Sequence, residues 1–318
     1  MPLHPQAQMI IDGWASMGLP PFETLSVEEG RATIQAFANF MVPVEEVGSV
    51  VDTGAPGPED MIPLRIYMPA GEGDDLRPAI LYFHGGGFVT GNIDLIDPLC
   101  RRLANRSGCA VVAVGYRLAP EHPYPAAVTD AYVATMWIAA KGAAFGIDGE
   151  RLALMGDSAG ANLATVTCML LRDNAEETDI AVQVLIYPVT DLEHDDTPSR
   201  QENGEGYLLT TGMMNWFKGH YLKGVEDQAG DPYCSPLHMN KLENLNLPAA
   251  IIVTAEYDPL RDEAVAYATR LKEEGGVFVD LRQEKGMIHG FFWMGGAIDR
   301  GRELLDELAD DIGKTLAG

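Results

Sequence analysis

Residues 151–163 read Arg-Leu-Ala-Leu-Met-Gly-Asp-Ser-Ala-Gly-Ala-Asn-Leu, and this stretch decides the fold. A short apolar run at 152–155 meets the pentapeptide Gly156-Asp-Ser-Ala-Gly160, and a helix-prone segment at 161–172 follows it. This order indicates a strand, a sharp turn with Ser158 at its apex, and then a helix. The two glycines flank the turn because a side chain there would collide with the neighbouring backbone.

The serine at this turn is a candidate nucleophile. A G-x-S-x-G match alone is weak evidence, because in a chain with 34 glycines it also arises by chance in an ordinary loop. The apolar run before the pentapeptide and the helical segment after it are the context that the motif requires. We therefore expect the turn to hold the Ser158 hydroxyl above the sheet, where it can attack a carbonyl carbon.

The remainder of the chain alternates short apolar runs with amphipathic segments from residue 79 onward. Near-continuous apolar strands between helices are typical of a mostly parallel sheet that is covered on both faces. Strands are predicted at 79–83, 110–114, 152–155, 182–186, 250–254 and 277–282. Helices are predicted at 97–107, 126–140, 262–274 and 298–316.

Two segments lie outside this alternation. Residues 1–40 carry apolar side chains at helical spacing, including Met9 and Met17, and Pro20-Pro21 divides them into two helical segments. Extended stretches at 47–53 and 62–67 then predict a hairpin at a sheet edge. Residues 190–235 begin with polar turns and continue with aromatic and Met side chains, which predicts either a cap over the sheet or a surface excursion unrelated to substrate.

The composition limits the classes of protein and of partner. With 318 residues, 47% of them hydrophobic, the chain can form one large α/β domain or two small ones. The formal net charge of −25 argues against nucleic acid and anionic membranes as partners, and it fits both an ordinary acidic enzyme and a saline habitat. No apolar run approaches the roughly 18 residues of a membrane span, and residues 1–8 resemble no signal peptide. We therefore expect a cytoplasmic protein.

The four cysteines, Cys100, Cys109, Cys168 and Cys234, show no C-x-x-C spacing. In a chain of this length, that pattern indicates free buried thiols and neither a disulfide framework nor a zinc site.

A serine hydroxyl needs a base to take its proton and an acid to orient that base. In an open parallel sheet the reacting groups collect at the carboxyl ends of the strands. His289 comes just after the last predicted strand and is the candidate base. Asp258 follows the preceding strand and is the candidate acid, because Pro259 fixes the turn beyond it, although Glu256 and Asp262 lie close by. Asp262 is expected to cap the next helix.

A glycine-rich loop, His84-Gly-Gly-Gly-Phe88, directly follows the strand at 79–83. Consecutive glycines let backbone N–H groups point into a cavity, where two or three of them can stabilise the negative oxygen of a tetrahedral intermediate. The candidate donors of this oxyanion hole are the N–H groups of Gly85, Gly86 and Ala159. The residues assigned to the support of the loop are His84 and Gly87.

The same loop does not fit two other glycine-rich motifs. A phosphate-binding loop would need Lys and then Ser or Thr after Gly91, where Asn92 and Ile93 stand. A dinucleotide fingerprint would need a glycine at Thr90. The loop therefore gives no indication of a nucleotide cofactor.

Together these motifs resemble the hormone-sensitive-lipase-like esterases (bacterial family IV) of the α/β-hydrolase superfamily. The segments that carry the resemblance are His84-Gly-Gly-Gly87, Tyr116-Arg-Leu-Ala-Pro-Glu-His122, Pro125-Ala-Ala-Val-Thr-Asp130, Gly156-Asp-Ser-Ala-Gly160, Asp258-Pro-Leu260 and His289-Gly-Phe291. The resemblance covers about residues 50–300. It implies a single α/β-hydrolase domain over residues 1–318, with a mostly parallel eight-stranded sheet, helices on both faces, and a helical cap. The cap would be built from residues 1–45 and an insertion at about 190–235.

The resemblance also implies a function. It implies a serine carboxylesterase that hydrolyses short- to medium-chain acyl esters through an acyl-enzyme, with Ser158 as nucleophile, His289 as base and Asp258 as acid. The partner is then a small-molecule ester, and neither a metal ion nor a cofactor is needed. An amidase, a lactonase or a lipase would use the same triad, whereas a ligand-binding receptor on this fold would lack the histidine that stands at 289.

Several further residues are candidates for the substrate pocket. Asp157 could tune the site, form a hydrogen bond with a nearby loop, or point away from the pocket, and Tyr187 either lines the acyl pocket or has a structural role. The candidate pocket residues are Phe88, Asp157, Tyr187, Met213 and Phe217. The last strand and the C-terminal helix offer a surface through which two copies could pair as a homodimer.

Overall fold

A single sheet forms the centre of the protein, whose computed structural model describes residues 2–71, 75–239 and 246–317. Met1 and Gly318, the ends of the predicted domain, lie outside the described residues. The strands are β1 (Ser49–Pro56), β2 (Met61–Met68), β3 (Arg77–Phe83), β4 (Ala110–Val114), β5 (Ile147–Asp157), β6 (Ile180–Ile186), β7 (Ala249–Tyr257) and β8 (Val279–Ile288). Among the described residues they pair in the order β1-β2-β4-β3-β5-β6-β7-β8. The pairs β1/β2 and β2/β4 are antiparallel and the others are parallel, so the predicted mostly parallel, eight-stranded sheet is confirmed.

Helices connect the strands and cover the sheet. They are α1 (Pro5–Ser16), α2 (Val27–Gln35), α3 (Asp97–Ser107), α4 (Ala126–Lys141), α5 (Ala159–Asp173), α6 (Pro198–Asn203), α7 (Thr211–Tyr221), α8 (Arg261–Glu273) and α9 (Asp299–Ala317). Helix α3 packs against α9, and α4 packs against α5. No helix in the described ranges has both the length and the apolar character that crossing a membrane requires.

The apolar runs form the central strands because both faces of the sheet are covered. Every residue of β4 is buried, as are the last five residues of β3 and the last six of β5. The parallel register places Phe83 of β3 beside Gly156 of β5, and Asp157 beside Ile186 of β6. The carboxyl ends of these strands therefore lie side by side, and the loops that follow them share one edge of the sheet.

Most predicted elements are present, with shifted ends. The predicted hairpin is the β1/β2 pair, and the predicted helix at 97–107 has the same bounds as α3. The prediction for the last strand is wrong at both ends, because β8 begins at Val279 and continues to Ile288, through residues that we expected in a loop. The register between β7 and β8 shifts after Ala255, which lets the pairing resume at Tyr257 and Ile288. His289 thus follows the strand without an intervening loop.

The N-terminal segment contacts the segment between β6 and β7. The Trp216 indole N–H on α7 donates a hydrogen bond to the Leu25 carbonyl over 3.1 Å, and the rings of Phe22 and Trp216 meet edge to face, with centroids 5.1 Å apart. The helical spacing of apolar residues in α1 does not bury all of them, since Met9 is 71% exposed and Met17, just after the helix, is 57% exposed. The two segments outside the strand–helix alternation therefore pack on each other.

Candidate active site

Ser158 lies at the sharp turn between β5 and α5. Its φ of 53° and ψ of −118° are unusual for a residue with a side chain, which is the backbone strain expected of a nucleophile turn. The turn brings its backbone close to β3, because a Cβ at Gly160 would lie 1.9 Å from the carbonyl oxygen of Phe83. Only a glycine fits there, so the sequence pattern and the geometry of the turn agree.

The three candidate catalytic side chains meet at the carboxyl edge of the sheet. His289 Nε2 lies 3.1 Å from the Ser158 hydroxyl oxygen, and His289 Nδ1 lies 2.7 Å from Asp258 Oδ2. Asp258 is fully buried, and its other oxygen accepts a hydrogen bond from the Leu260 N–H over 2.8 Å. These contacts form a path along which a proton can pass from the hydroxyl to the imidazole while the buried carboxylate stabilises the charge.

The neighbouring acids have other partners. The carboxylate of Glu256 accepts a hydrogen bond from the Gly286 N–H, and that of Asp262 accepts one from the Ser199 N–H. The prediction that Asp262 caps the following helix is wrong, because Leu260 occupies the N-cap position of α8 and Asp262 lies inside the first turn. Because α8 begins directly after Leu260, the Asp262 side chain points toward Ser199 on α6.

The assignment of the Gly85 N–H to the oxyanion hole needs a correction. That N–H donates a hydrogen bond to Asp157 Oδ1 over 3.0 Å, and it is therefore not free for a substrate oxygen. Gly86 and Gly87, in contrast, line the cavity beside Ser158. The loop needs glycine at position 87, where φ is +60° and a Cβ would lie 2.2 Å from the ring of Phe217. Ala159, the first residue of α5, directly follows Ser158.

Asp157 forms hydrogen bonds with the glycine loop and with the sheet beneath it. In addition to the Gly85 N–H, its Oδ1 accepts a hydrogen bond from the Tyr82 hydroxyl over 2.7 Å, and only 2% of the residue is exposed. Burial raises the pKa of Asp157 to about 6, although the hydrogen bonds from Tyr82 and Gly85 favour its ionised form. Of the options that the sequence left open for Asp157, the structure shows the hydrogen bond to a nearby loop.

His84 stands at the base of the same loop. Its Nδ1 lies 2.7 Å from the Gly85 carbonyl oxygen, its ring stacks on Tyr116 with centroids 4.4 Å apart, and its own carbonyl accepts a hydrogen bond from the Tyr116 hydroxyl. Burial lowers the pKa of His84 to about 4, so this imidazole is neutral near pH 7. Its contacts are with the protein backbone and with Tyr116.

A cavity of about 440 Å³ opens above Ser158 and His289. It reaches the size range of small-molecule pockets and is lined mainly by apolar side chains. The five residues that the sequence suggested for a pocket all line it: Phe88, Asp157, Tyr187, Met213 and Phe217. Phe88 and Tyr187 have positive φ angles of 63° and 35°, which marks the backbone on both sides of the nucleophile as strained.

Sequence reasoning missed a second group of lining residues. These come from the N-terminal segment, from the segment after β6 and from the loop after His289, and they include Trp14, Phe37, Leu192, Arg200, Leu208 and Trp293. The apolar spacing of residues 1–40 was a signal for Trp14 and Phe37, but it did not indicate which cavity they face. Nothing in the local sequence marks Arg200 as a lining residue.

Arg200 on α6 forms a buried ion pair beside the cavity. Its guanidinium donates to the fully buried Glu263 carboxylate over 2.8 Å and to Asp195 over 2.5 Å. Glu263 also accepts hydrogen bonds from the N–H groups of Thr190 and Asp191. Burial raises the pKa of Glu263 to about 7, and the Arg200 charge opposes that rise. This pair connects α6 to α8, whose preceding loop carries Asp258.

The comparison with known proteins places this site in a family. A family profile described as an alpha/beta hydrolase fold matches residues 80–293, which include all three candidate catalytic residues. The chain is also 38% identical to the carboxylic ester hydrolase LipN of Mycobacterium tuberculosis, over 98% of this chain and 84% of that protein. The chain belongs to the hormone-sensitive-lipase-like esterases of the α/β-hydrolase superfamily. The predicted family and fold class are thus confirmed.

Other proteins similar to this esterase are also ester hydrolases. It is 42% identical to an ethyl acetate hydrolase of Pseudomonas putida, over 76% of this chain and 75% of that one. An ester hydrolase from the metagenome of Lake Arreo, solved with a bipyridine phosphonate derivative, has a TM-score of 0.93, 40% identity and coverage of 99% of this chain and 100% of its own. A hyperthermophilic esterase of Pyrobaculum calidifontis has a TM-score of 0.91, 39% identity and full coverage of both chains. The predicted enzyme class, carboxylic ester hydrolase, is confirmed.

The four cysteines of the esterase are free and buried, as their spacing predicted. Burial raises the pKa of Cys168, which keeps this thiol protonated near pH 7.

Proposed function

We propose that Ser158, His289 and Asp258 are the catalytic triad of this carboxylic ester hydrolase. The observation that carries the proposal is the pair of contacts at His289, 3.1 Å to the serine hydroxyl and 2.7 Å to the aspartate. Each ring nitrogen thereby has the partner that its role requires. A ligand-binding receptor would need no such arrangement.

The reaction follows from these positions. The Ser158 oxygen attacks the ester carbonyl carbon while His289 Nε2 takes the hydroxyl proton, and a tetrahedral intermediate with a negative oxygen forms. Breaking the bond to the alcohol oxygen expels the alcohol, which receives the proton from His289, and leaves an acyl group on Ser158. A water molecule then gives its proton to His289 and attacks the acyl carbon, and the acid leaves as Ser158 regains its proton.

The negative oxygen of the intermediate is stabilised by backbone N–H groups of Gly86, Gly87 and Ala159. This set differs from our prediction in replacing Gly85, whose N–H donates to Asp157. The two glycines line the cavity next to Ser158, and Ala159 begins the helix whose N-terminal end carries a partial positive charge. Asp157, Tyr82 and His84 support this loop from beneath.

Residues 1–45 and about 190–235 form a cap that limits the length of the acyl chain. Supporting this assignment, both segments contribute side chains to the cavity and contact each other through Trp216 and Leu25. A cavity of about 440 Å³ lies in the lower half of the range for small-molecule pockets, which favours short- to medium-chain esters over long-chain lipids.

The test of the triad uses chromogenic esters. Ser158→Ala is expected to lower ester hydrolysis by about a million-fold with the fold retained. Ser107→Ala is a matched serine control, because the Ser107 hydroxyl donates to the Leu103 carbonyl within α3. An alkyl phosphonate should label the wild type covalently and leave Ser158→Ala unlabelled. Turnover by Ser158→Ala at the wild-type rate would disprove the assignment.

The test of the cap uses a series of acyl lengths with one leaving group. We expect kcat/KM to be highest for short and medium chains and to fall for long ones, and Met213→Trp to shift the maximum toward shorter chains because its side chain lines the cavity. Matching anilides and lactones, assayed in parallel, separate an esterase from an amidase or a lactonase. An unchanged length profile in Met213→Trp would contradict the proposed cap.

A homodimer through β8 is a further part of the proposal. Among the described residues β8 is the last strand of the sheet, and near it Phe278 is 75% exposed and Leu281 is 40% exposed, so a strand edge and apolar surface lie together. Light scattering after gel filtration should give twice the chain mass for the wild type and a smaller mass for Phe278→Glu. A monomeric wild type at micromolar concentration would refute the dimer.

A cytoplasmic location completes the proposal. Four free, buried thiols suit a reducing compartment, where disulfides do not persist. Fractionation of the source cells should recover the ester hydrolase activity in the cytoplasmic fraction, and recovery in the periplasm or medium would contradict this location.

A further inference from the structure

A cluster of two imidazoles and a carboxylate lies outside the catalytic triad. The ligand atoms of Asp191, His194 and His238 all lie within 4.8 Å of one another. Asp191 Oδ1 is 3.0 Å from His238 Nε2, and Asp191 Oδ2 is 3.2 Å from His194 Nδ1. Asp191 and His194 lie in the loop after β6, whereas His238 ends a short turn before β7. The cluster therefore joins the two ends of the segment between these strands.

Hydrogen bonds outside the cluster also hold these two ends in place. The Leu237 N–H donates to the Thr190 carbonyl over 3.0 Å, and the Leu192 N–H donates to the Ser235 hydroxyl over 2.7 Å. The Arg270 guanidinium donates to the carbonyls of Leu237 and of the residue after His238. The three side chains are thus presented from a hydrogen-bonded frame, which reduces the entropy lost when they bind a common ligand.

The donor set and its spacing fit an ion of the zinc type. Two imidazole nitrogens and one carboxylate oxygen suit zinc and its neighbours better than magnesium or calcium, which prefer all-oxygen sites. Ligands at 2.0–2.1 Å from a tetrahedral ion lie about 3.3 Å from one another. Each imidazole nitrogen lies at about that spacing from a different oxygen of Asp191, 3.0 Å from Oδ1 for His238 and 3.2 Å from Oδ2 for His194.

The second nitrogen of His238 also has the partner that metal-binding histidines use. His238 Nε2 faces Asp191, and Nδ1 lies 3.1 Å from the carboxylate of Glu193. A carboxylate on the outer nitrogen fixes the ring orientation and makes the inner nitrogen a stronger ligand. His122 provides a comparison, because its Nδ1 lies 3.7 Å from the carboxylate of Glu59.

One movement is required for binding. The rings of His194 and His238 lie almost parallel, with an angle of 13° between their planes and centroids 5.0 Å apart, so one ion cannot lie in both planes. His194 can turn, because 58% of its side chain is exposed, whereas His238 is 20% exposed and has partners on both nitrogens. If the His194 side chain rotates while Asp191 and His238 stay in place, all three side chains can bind the same ion.

We propose that Asp191, His194 and His238 bind a divalent transition-metal ion of the zinc type, which fastens the two ends of the segment between β6 and β7. Water completes the coordination, and no step of ester hydrolysis uses the ion. Leu192, which lies between the ligands in the chain, lines the catalytic cavity. The ion would therefore stabilise one wall of the cavity from behind.

The test measures zinc binding and does not depend on ester hydrolysis. The full chain, freed of metal with a chelator, is titrated with zinc chloride by calorimetry, and thermal unfolding is followed with and without zinc. We expect one zinc ion per chain and a midpoint of unfolding that rises with zinc concentration. His194→Gln and His238→Gln should each weaken binding at least about tenfold.

Two control variants test whether zinc binds at the proposed site. His122→Gln should bind zinc as the wild type does, and so should His289→Gln, because the proposed site is separate from the triad. Loss of binding in His289→Gln with retention in His238→Gln would put the ion in the catalytic site and overturn the proposal. Absence of zinc binding by the wild type, or equal binding by all four variants, would also overturn it. If His238→Gln does not fold, the exposed His194→Gln decides the outcome alone.

Discussion

The substitution Asp157→Asn tests how much the ionisation of this buried carboxyl group, which lies beneath the glycine loop, destabilises the folded protein. Asp157 is buried, with 2% of its surface exposed, and it accepts hydrogen bonds from the Tyr82 hydroxyl and the Gly85 N–H. An asparagine of the same shape keeps one oxygen acceptor for these donors and removes the charge. The variant therefore isolates the effect of ionising a buried carboxyl group.

The magnitude follows from the pKa of Asp157, which burial raises from 3.8 to about 6. A folded-state pKa above the unfolded value means that the folded protein holds the proton more tightly. The contribution of the Asp157 proton to the free energy of unfolding is therefore fully present below pH 3.8 and is lost as the pH rises through about 6. Since pH 5 lies about one unit below the folded pKa, the wild type should lose about 1.4 kcal/mol relative to Asp157→Asn between pH 5 and pH 8.

Urea unfolding of both proteins at several pH values measures this difference. The free energy of unfolding of Asp157→Asn, minus that of the wild type, should increase by about 1.4 kcal/mol from pH 5 to pH 8, with most of the change near pH 6. Tyr82→Phe removes a hydrogen bond that favours the ionised form, so it should move the change to higher pH. A constant difference between Asp157→Asn and the wild type from pH 5 to pH 8 would refute the reasoning.

Three further substitutions have defined outcomes. Arg200→Met leaves the Glu263 carboxylate buried without its cation and should lower the free energy of unfolding by about 3–5 kcal/mol in urea titrations, whereas an added Glu263→Leu should restore most of it. Asp258→Asn should lower kcat by about ten-thousandfold with unchanged circular dichroism, because the amide does not hold the required tautomer of His289; a loss under tenfold would argue against its role. Gly87→Ala should lower kcat at least about a hundredfold, because a Cβ would lie 2.2 Å from the Phe217 ring, and wild-type kinetics would show that the loop tolerates the side chain.

Local sequence was sufficient to predict those elements whose ends are determined by residues close together in the chain. Helix α3 begins at Asp97 with Pro98 in its first turn and stops at Gly108, which has a left-handed φ of 70°, and each of these signals is readable in the sequence. The positions of Ser158, Asp258 and His289 directly after three predicted strands also predicted their meeting, because parallel strands bring their carboxyl ends to one edge. The contacts of His289 with Ser158 and Asp258 agree with that expectation.

The sequence could not predict contacts whose hydrogen-bonding or strand-pairing partners are distant in the chain. The Gly85 N–H has its acceptor on Asp157, 72 residues later, and no local pattern tells this N–H from that of Gly86. The extension of β8 to Ile288 depends on a shift in its pairing with β7 after Ala255, which is a property of the assembled sheet. The same reason hides the cluster around His238, since His238 approaches Asp191 and His194 only when β6 and β7 lie side by side.

The contacts of α6 argue against treating the insertion as an independent specificity module. The Ser199 hydroxyl donates to the Pro259 carbonyl over 2.8 Å, and the Ser199 N–H donates to Asp262, so the insertion is bonded to both sides of the turn that follows Asp258. Arg200, one residue on, pairs with Glu263 in the first turn of α8. A change in the insertion that moves α6 therefore moves the loop that orients Asp258, and through it His289. Substrate selectivity and turnover should consequently vary together for changes in α6, and the same holds for Phe217 and Tyr221 of α7, because Phe217 packs against Gly87 and Tyr221 stacks on Phe88 in the glycine loop.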